Sequence, residues 1–381
     1  MQWIRDPAEL AGHLATPPAR IGLDTEFVRE RTWWPQLALV QLAIEREGAI
    51  AILLVDPLVP GMCDALAPML ADTQVLKVMH SAGEDLVALK HACGVVPAPL
   101  FDTQIAAALS GVGGGVGYQR LVQDTLGVAL AKGETRSDWL RRPLSPAQLE
   151  YAADDVRHLF ALHSQLQSRL EALGRETWLE EDCARMVANA RRDELERWPH
   201  LSLRAAQYFD VDAQLRLLRL LRWRDAYARD NDRPRNWILD NELATALARH
   251  PPADTAALQE RLDATPKAPR KLAAAIWKAL ATPLADEVEL PPIRTDEPDK
   301  QTLRKLQDAI AARTAELGLP DGVLASRRWL EPLLESLRNN VPWPGPLEGG
   351  RRAQLEPALA ALDLRPPPSR PAAGEVPGPP V

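Results

Sequence analysis

Three short stretches of this chain place acidic side chains where folding alone does not call for them. Asp24, Thr25 and Glu26 lie inside the apolar run IGLDTEF, residues 21–27. The run reads as a β-strand, and residues two apart on a strand point to the same face. Asp24 and Glu26 therefore stand side by side. Like charges so placed are costly to bury unless a cation compensates them. A ligand set of oxygen alone, without His or Cys, suits Mg²⁺ or Mn²⁺ rather than zinc. Read alone, the pair also fits a solvated strand end.

The second stretch is His80-Ser81-Ala82-Gly83-Glu84-Asp85, at a predicted strand-to-helix junction. Its acids are either ligands or ordinary partners of a helix N-terminus. His80 is either a phosphate contact or a hydrogen-bonded strand end. The third is Tyr151-Ala152-Ala153-Asp154-Asp155. On a helix Tyr151 and Asp155 share a face, whereas Asp154 points aside. A phenol beside a metal-bound carboxylate can orient an attacking water. A half-buried Tyr next to a solvated Asp is the plainer alternative.

The elements that must position these groups follow from the pattern around them. Residues 21–27, 37–44 and 49–56 read as strands with short connections, hence antiparallel neighbours. Residues 75–80 form a fourth strand, followed by a helix over about 82–93. Leu100–Asp102 reads as a short strand leading into a helix over 103–109. The fold class this implies is α/β: a mixed sheet with helices packed on it. Ser145, Pro146 and Gln148 make a strong helix start, and Gly174 stops that helix near Leu173.

The glycine-rich GVGGGVG loop at 111–117 does not bind phosphate by the usual frame. A G-x-G-x-x-G reading meets Val116, Tyr118 or Arg120 where the last glycine belongs, and no G-K-[ST] follows. A hinge is the better reading.

Beyond about residue 175 the pattern is helical and broken by proline. Prolines number 34 in 381 residues, about 9%, against ~5% in average usage. Leu217, Leu220, Pro234, Ile238 and Leu247 match Leu303, Leu306, Pro320, Leu324 and Leu333 at an offset of 86. Two small helical domains, or a chance match among abundant leucines, account for this. The expected organisation is a catalytic domain at 1–175, a helical linker at 176–209 and helical domains at 210–290 and 299–364. A linker at 291–298 separates the last two, and a Pro-rich tail at 365–381 is expected to be disordered.

Taken together, the fragments carry more than each does alone. A D-x-E on an early strand, an Asp at a strand-to-helix turn and a Y-x-x-x-D on a later helix resemble the DEDD exonucleases, tyrosine subclass. LDTEFVRERTWWPQLALVQL, HSAGEDL, FDTQIAAAL, TRSDWLRRPLS and YAADDV are similar, in order and spacing, to the ribonuclease D family within them. The helical remainder resembles the paired HRDC domains of that family.

The resemblance implies a ribonuclease H-like fold followed by two all-α HRDC-like domains. It implies Asp24, Glu26, Asp85 and Asp155 as ligands of two Mg²⁺ ions, with Mn²⁺ a possible substitute. Tyr151 would position the water, completing the catalytic set. The histidine subclass would need His where Glu150 stands. Glu84 and Asp154 are not expected to be ligands.

The implied activity is 3′→5′ hydrolysis of RNA to nucleoside 5′-monophosphates, with tRNA precursors bearing 3′ extensions as partners. A DNA exonuclease and a non-catalytic RNA-binding adaptor are the alternatives. Phe27, His80 and Arg136 are candidate substrate contacts, together with Arg216, Arg219 and Arg222, which recur every three residues along one predicted helix. Such a stripe tracks phosphates or is simply a solvated face. Asp138 and Trp139 are expected to order the loop above the site, and Asp102 to anchor a helix start. Arg141 and Arg142 are further candidates for backbone contact.

Composition bounds the rest. The net charge of −7 excludes a globally basic coat but leaves a local basic face open. Three scattered cysteines give neither a disulfide framework nor a thiolate zinc site, which fits a reducing cytosol. The opening MQWIRDPAEL has no signal-like apolar core, and no apolar run nears the ~20 residues of a membrane helix. A cytoplasmic location and no membrane partner are expected.

Overall fold

The first hundred residues build one six-stranded sheet. Its strands are β1 (Gln2–Ile4), β2 (Arg20–Val28), β3 (Gln36–Arg46), β4 (Ala49–Val55), β5 (Leu76–Met79) and β6 (Leu100–Asp102), in the spatial order β1-β4-β3-β2-β5-β6. The computed structural model describes residues 1–46, 48–131, 133–134, 137–203, 206, 208–291, 300–360 and 362. The expected linker at 291–298, apart from its first residue, and the tail at 365–381 lie outside these.

β2, β3 and β4 are consecutive antiparallel neighbours, as their short connections require. β1, β5 and β6 join in parallel. Every residue from Leu37 to Ile44 of β3 is buried, because helices cover both faces of the sheet.

Within the catalytic half the helices are α1 (Pro7–Leu14), α2 (Met62–Ala71), α3 (Gly83–Cys93), α4 (Thr103–Leu109), α5 (Tyr118–Leu126), α6 (Pro146–Arg157), α7 (Leu159–Leu173) and α8 (Glu176–Arg191). β1, α1, α2 and α5 were not legible beforehand. β1 has only three residues, and the interior Pro68 disguises α2.

The single helix expected from Ser145 to Leu173 is two, parted at His158. Tyr118 causes the break to be satisfied: its hydroxyl donates to the Asp154 carbonyl at 3.0 Å and accepts from the His158 amide at 3.2 Å. Ser145 does close a full capping box with Gln148.

The helical half comprises α9 (Val211–Asp230), α10 (Arg235–Ile238), α11 (Asn241–Arg249), α12 (Thr255–Ala264), α13 (Ala273–Ala281), α14 (Lys300–Glu316), α15 (Leu330–Asn339) and α16 (Gly350–Leu359). α9 to α13 enclose their own core, with Leu217, Leu220, Leu247, Leu258 and Ile276 at its centre. The last three helices do not stand apart in that way. Leu306, Ile310, Leu333 and Leu355 belong to the same continuous core as the sheet.

Polar ties seal that junction. Arg351 grips Asp182 of α8 through two hydrogen bonds of 2.6 Å. Arg175 donates to the carbonyl of Leu109 at 2.7 Å and to that of Leu317. Gly350 is glycine because a Cβ there would overlap the Trp178 indole.

Candidate active site

The site forms where β5 stops pairing with β2. Only Arg20, Ile21 and Gly22 of β2 have partners on β5. From Leu23 onward that edge of β2 is open, and the chain leaving β5 turns into α3 beside it. Asp24 and Glu26 share one face of β2 and Thr25 takes the other, and α6 and α3 both pack against this strand. There the Thr25 hydroxyl donates to Asp85 Oδ1 at 2.5 Å, with both residues buried. A register shift between Glu26 and Phe27 bends the strand at the site.

The turn that delivers Asp85 is built by its neighbours. Ser81 has φ = 60°, a left-handed conformation unusual for serine. Fully buried Asp102 caps α4 by accepting from Gln104 N (2.8 Å) and Ile105 N (3.1 Å). Its other oxygen accepts from Ala82 N at 2.8 Å, so one carboxylate fixes the starts of both α3 and α4. Thr103 donates to the Met79 carbonyl at 3.1 Å and lies 2.8 Å from His80 Nδ1.

The four carboxyl groups feel one another. Burial, then the charges of Asp85, Asp155 and Glu26, hold Asp24 well above the ordinary carboxylate range. Burial, then Asp155 and Asp85, push Glu26 up to about 8. Burial raises Asp85 to about 7, against the lowering effect of the Thr25 hydrogen bond. Asp155 rises to about 7 through burial, then Asp154 and Asp85.

The acidic neighbours differ. Glu84 is paired with Arg29, and Asp154 with Arg157 at 2.9 Å. All-oxygen, mutually repelling and shielded from solvent, with Asp85 buried and the other three partly so, the four fit a divalent hard cation. Among the described residues no three such side chains are already drawn tightly enough to hold an ion. Gln41 adds a further signal. It lies opposite Asp24 in register, is fully buried, and neither end of its amide has a hydrogen-bond partner.

Tyr151 stands one turn before Asp155. Burial, then the charges of Asp155, Glu26 and Asp24, push its phenol above the usual value. Its ring packs against Gly133, where a Cβ would fall 1.6 Å from Tyr151 Cε2, and lies 6.1 Å from the Trp139 ring. The loop before α6 thus cradles the tyrosine. Arg142, rather than reaching outward, holds that loop to the sheet through Asp56 (2.7 and 3.0 Å) and the Ala38 carbonyl (2.6 Å).

The substrate-contact candidates fare unevenly. Phe27 is partly buried against the core directly after Glu26. His80 is held by Thr103, and burial lowers its pKa. Arg136 lies outside the described residues. The arginine stripe is engaged within the helical domain. Arg216 donates to the Ala248 carbonyl at 2.7 Å, Arg219 pairs with Glu287 at 2.5 Å and Arg222 with Asp286 at 2.8 Å. A cavity of about 580 Å³ lies between α3, α8 and the last helices, lined by Glu84, Asp182 and Arg328 among others. None of the four carboxylates lines it, so it is not the reacting site.

Comparison with known proteins decides the family. Residues 1–171 match a 3′-5′ exonuclease domain model, and residues 214–280 match the HRDC domain. Ribonuclease D of Xanthomonas oryzae pv. oryzae is 60% identical over 94% of this chain and 98% of its own length. The chain belongs to the ribonuclease D family.

Ribonuclease D of Pseudomonas paraeruginosa is 37% identical over 94% of this chain and 96% of its own. The crystal structure of Escherichia coli RNase D superposes with a TM-score of 0.80 at 30% identity, covering 94% of this chain and 98% of that one. This ribonuclease D-family chain is therefore an enzyme, a 3′→5′ exoribonuclease whose substrate is RNA. Its fold is the expected ribonuclease H-like mixed sheet with helices, followed by an HRDC domain. Its exonuclease family generally uses divalent metal ions. Among the described residues no helix is long and apolar enough to cross a membrane.

Sequence reasoning missed Gln41, Thr25, Tyr118 and Gly133. A lone glutamine in the apolar run LALVQLAI was a usable signal for the first. The others act through contacts that cross the fold.

Proposed function

We propose that this exoribonuclease works by two-metal chemistry and releases nucleoside 5′-monophosphates, with tRNA precursors bearing 3′ extensions among its substrates. One observation carries the reading: four carboxyl groups converge from β2, α3 and α6, close enough that the charges of Asp85 and Asp155 help to hold both Asp24 and Glu26 above the usual carboxylate range. Asp24, Glu26, Asp85 and Asp155 would hold two Mg²⁺ ions, with Mn²⁺ a possible substitute. Bound there, the ions supply Lewis acidity and charge neutralisation to an in-line displacement at phosphorus.

The protein's own groups do the rest. Tyr151, kept protonated by its raised pKa, orients the attacking water rather than removing its proton. Trp139 and Gly133 fix the ring that does so. Phe27, next to Glu26 on the strand, packs on the terminal base. His80 is half-buried and tied through Nδ1 to Thr103, and Nε2, without a hydrogen-bond partner among the described residues, is the nitrogen left for a phosphate. Arg136 remains a backbone contact by expectation. The working location is the cytoplasm.

The RNA class is supported by the relatives' names, and E. coli RNase D is described as an exoribonuclease involved in structured RNA processing. The test is digestion of a 3′-extended tRNA precursor beside a DNA strand of matched sequence, with Mg²⁺ and with EDTA. Trimming of the precursor alone, abolished by EDTA, is the expected result. Equal digestion of the DNA would favour a general 3′→5′ exonuclease. Activity in EDTA would remove the metals from the mechanism.

A further inference from the structure

The loop that follows the catalytic strand is held by the helical domain. β2 ends at Val28, two residues past Glu26, and β3 begins at Gln36. Between them Trp33 and Trp34 both donate their backbone amides to one atom, Oδ1 of Asp232, each at 3.0 Å. Asp232 lies just past α9, in a left-handed conformation with φ = 46°. Trp33 is 8% exposed and packs with Ala228 and Ile238, and the Arg235 guanidinium lies 4.5 Å from its ring centre. Trp34 stacks on His91 of α3, 4.8 Å away and within 9° of parallel. Arg29 donates to the Trp33 carbonyl at 3.1 Å and pairs with Glu84, the residue before Asp85. The contacts thus run from Asp232 through the loop to Arg29, three residues after Glu26, and to Glu84, one residue before Asp85.

We propose that Asp232 is a positioning residue for the catalytic carboxylates, so that the HRDC domain completes the active site as well as any grip on RNA. The inference rests on the carboxylate site being the reacting one. Asp232 acts through Trp33, Trp34 and Arg29 and touches no substrate.

Two substitutions separate its acceptor from its backbone. Asp232→Gly tolerates positive φ and lacks the acceptor; Asp232→Asn tolerates positive φ and keeps an oxygen at Oδ1. Arg29→Met cuts the same loop from its other anchor, at an exposed position, should the glycine variant fail to fold.

The assay is cleavage of a ribodinucleotide, which occupies only the reacting end, beside a long single-stranded RNA, in Mg²⁺. Asp232→Gly and Arg29→Met should lower kcat on both substrates by roughly ten- to a hundredfold, as misplacement of catalytic groups does. KM should move less than about twofold, because substrate contacts survive. Asp232→Asn should retain most of the wild-type rate. A raised KM on the long RNA with an unchanged dinucleotide rate would show a role in grip alone and overturn the proposal. Equal loss in the glycine and asparagine variants would overturn it too, since the acceptor would not be what matters. Asp24→Asn is run alongside: activity there would overturn the carboxylate site itself, whereas a dead Asp24→Asn with a fully active Asp232→Gly would overturn only this inference.

Discussion

The hydroxyl of Thr25 donates to Asp85 Oδ1 at 2.5 Å, tying the middle of the catalytic strand to the first turn of α3. The two carboxylates flanking Thr25 come with their strand, but Asp85 arrives from a different element around an open sheet edge. The bond sets where it stops. Thr25→Val keeps the shape and removes the donor. A buried acceptor left unpaired costs about 1–3 kcal/mol, so the melting temperature should fall. The catalytic rate should fall as well, while Thr25→Ser should restore most of both. Thermal melts with single-turnover rates check this; a valine variant as fast as wild type would contradict it.

Tyr151 is held between Gly133 and Trp139 with its hydroxyl one helical turn from Asp155. Tyr151→Phe keeps that packing and removes only the hydroxyl. Folding and metal binding should change little, and the chemical step should slow by something like ~10²–10⁴-fold. Single-turnover cleavage in saturating Mg²⁺, beside an RNA-binding titration in Ca²⁺, measures both. An unchanged rate would remove Tyr151 from the mechanism.

The raised acids also set a pH dependence. Glu26 at about 8, and Asp85 and Asp155 at about 7, bind protons more tightly folded than unfolded. Their stabilising contribution is full below the ordinary carboxylate range near ~4 and is lost as pH rises through the folded values. Without metal, this contribution should therefore lower the melting temperature from about pH 4 to about pH 8, between the unfolded and folded values, and level off above that. Mg²⁺ binds the deprotonated form, so it should shrink the drop and release protons. Glu26→Gln should flatten the metal-free curve at its upper end. Melting curves in EDTA and in Mg²⁺ test this, and a metal-free curve that rises over that span would contradict it.

The last helices invite a different expectation from the one their sequence suggests. Read as a separate domain, residues beyond 299 would be dispensable for cleaving a short oligonucleotide. In the structure Leu306, Ile310, Leu333 and Leu355 share the core of the sheet. Each buried side chain of this kind is worth about 1.5–3 kcal/mol. Losing several rivals the whole stability of a typical domain, about 5–15 kcal/mol. Deletion of residues 300–381 should lower the melting temperature sharply and impair cleavage of short and structured RNA alike. A truncated chain with wild-type melting and oligonucleotide cleavage would contradict this.

How much was legible follows from the range of the interactions. The antiparallel run β2-β3-β4, the D-x-E strand, the β6–α4 pair and the capping box at Ser145 are local, and each declared itself in pattern or spacing. The break at His158 was invisible because Tyr118, 40 positions away, satisfies it. The engagement of Arg219 by Glu287 was hidden for the same reason, a partner 68 residues on. A stripe of arginines reads as a free surface until its acids are known. Gln41 needed only the strand register to be seen beside Asp24, and that register is set by the sheet as a whole.

The central claim is that Asp24, with Glu26, Asp85 and Asp155, forms the reacting centre. It is tested most directly by degradation of a 5′-labelled RNA in Mg²⁺ by wild type and by Asp24→Asn. That substitution removes a charge and almost no volume. The wild type should shorten the RNA one nucleotide at a time from its 3′ end. The Asp24→Asn protein should leave it intact while melting at or above the wild-type temperature in EDTA, because the cost of placing a carboxyl group beside three others is gone. A variant that melts normally and still shortens the RNA at the wild-type rate would contradict the account.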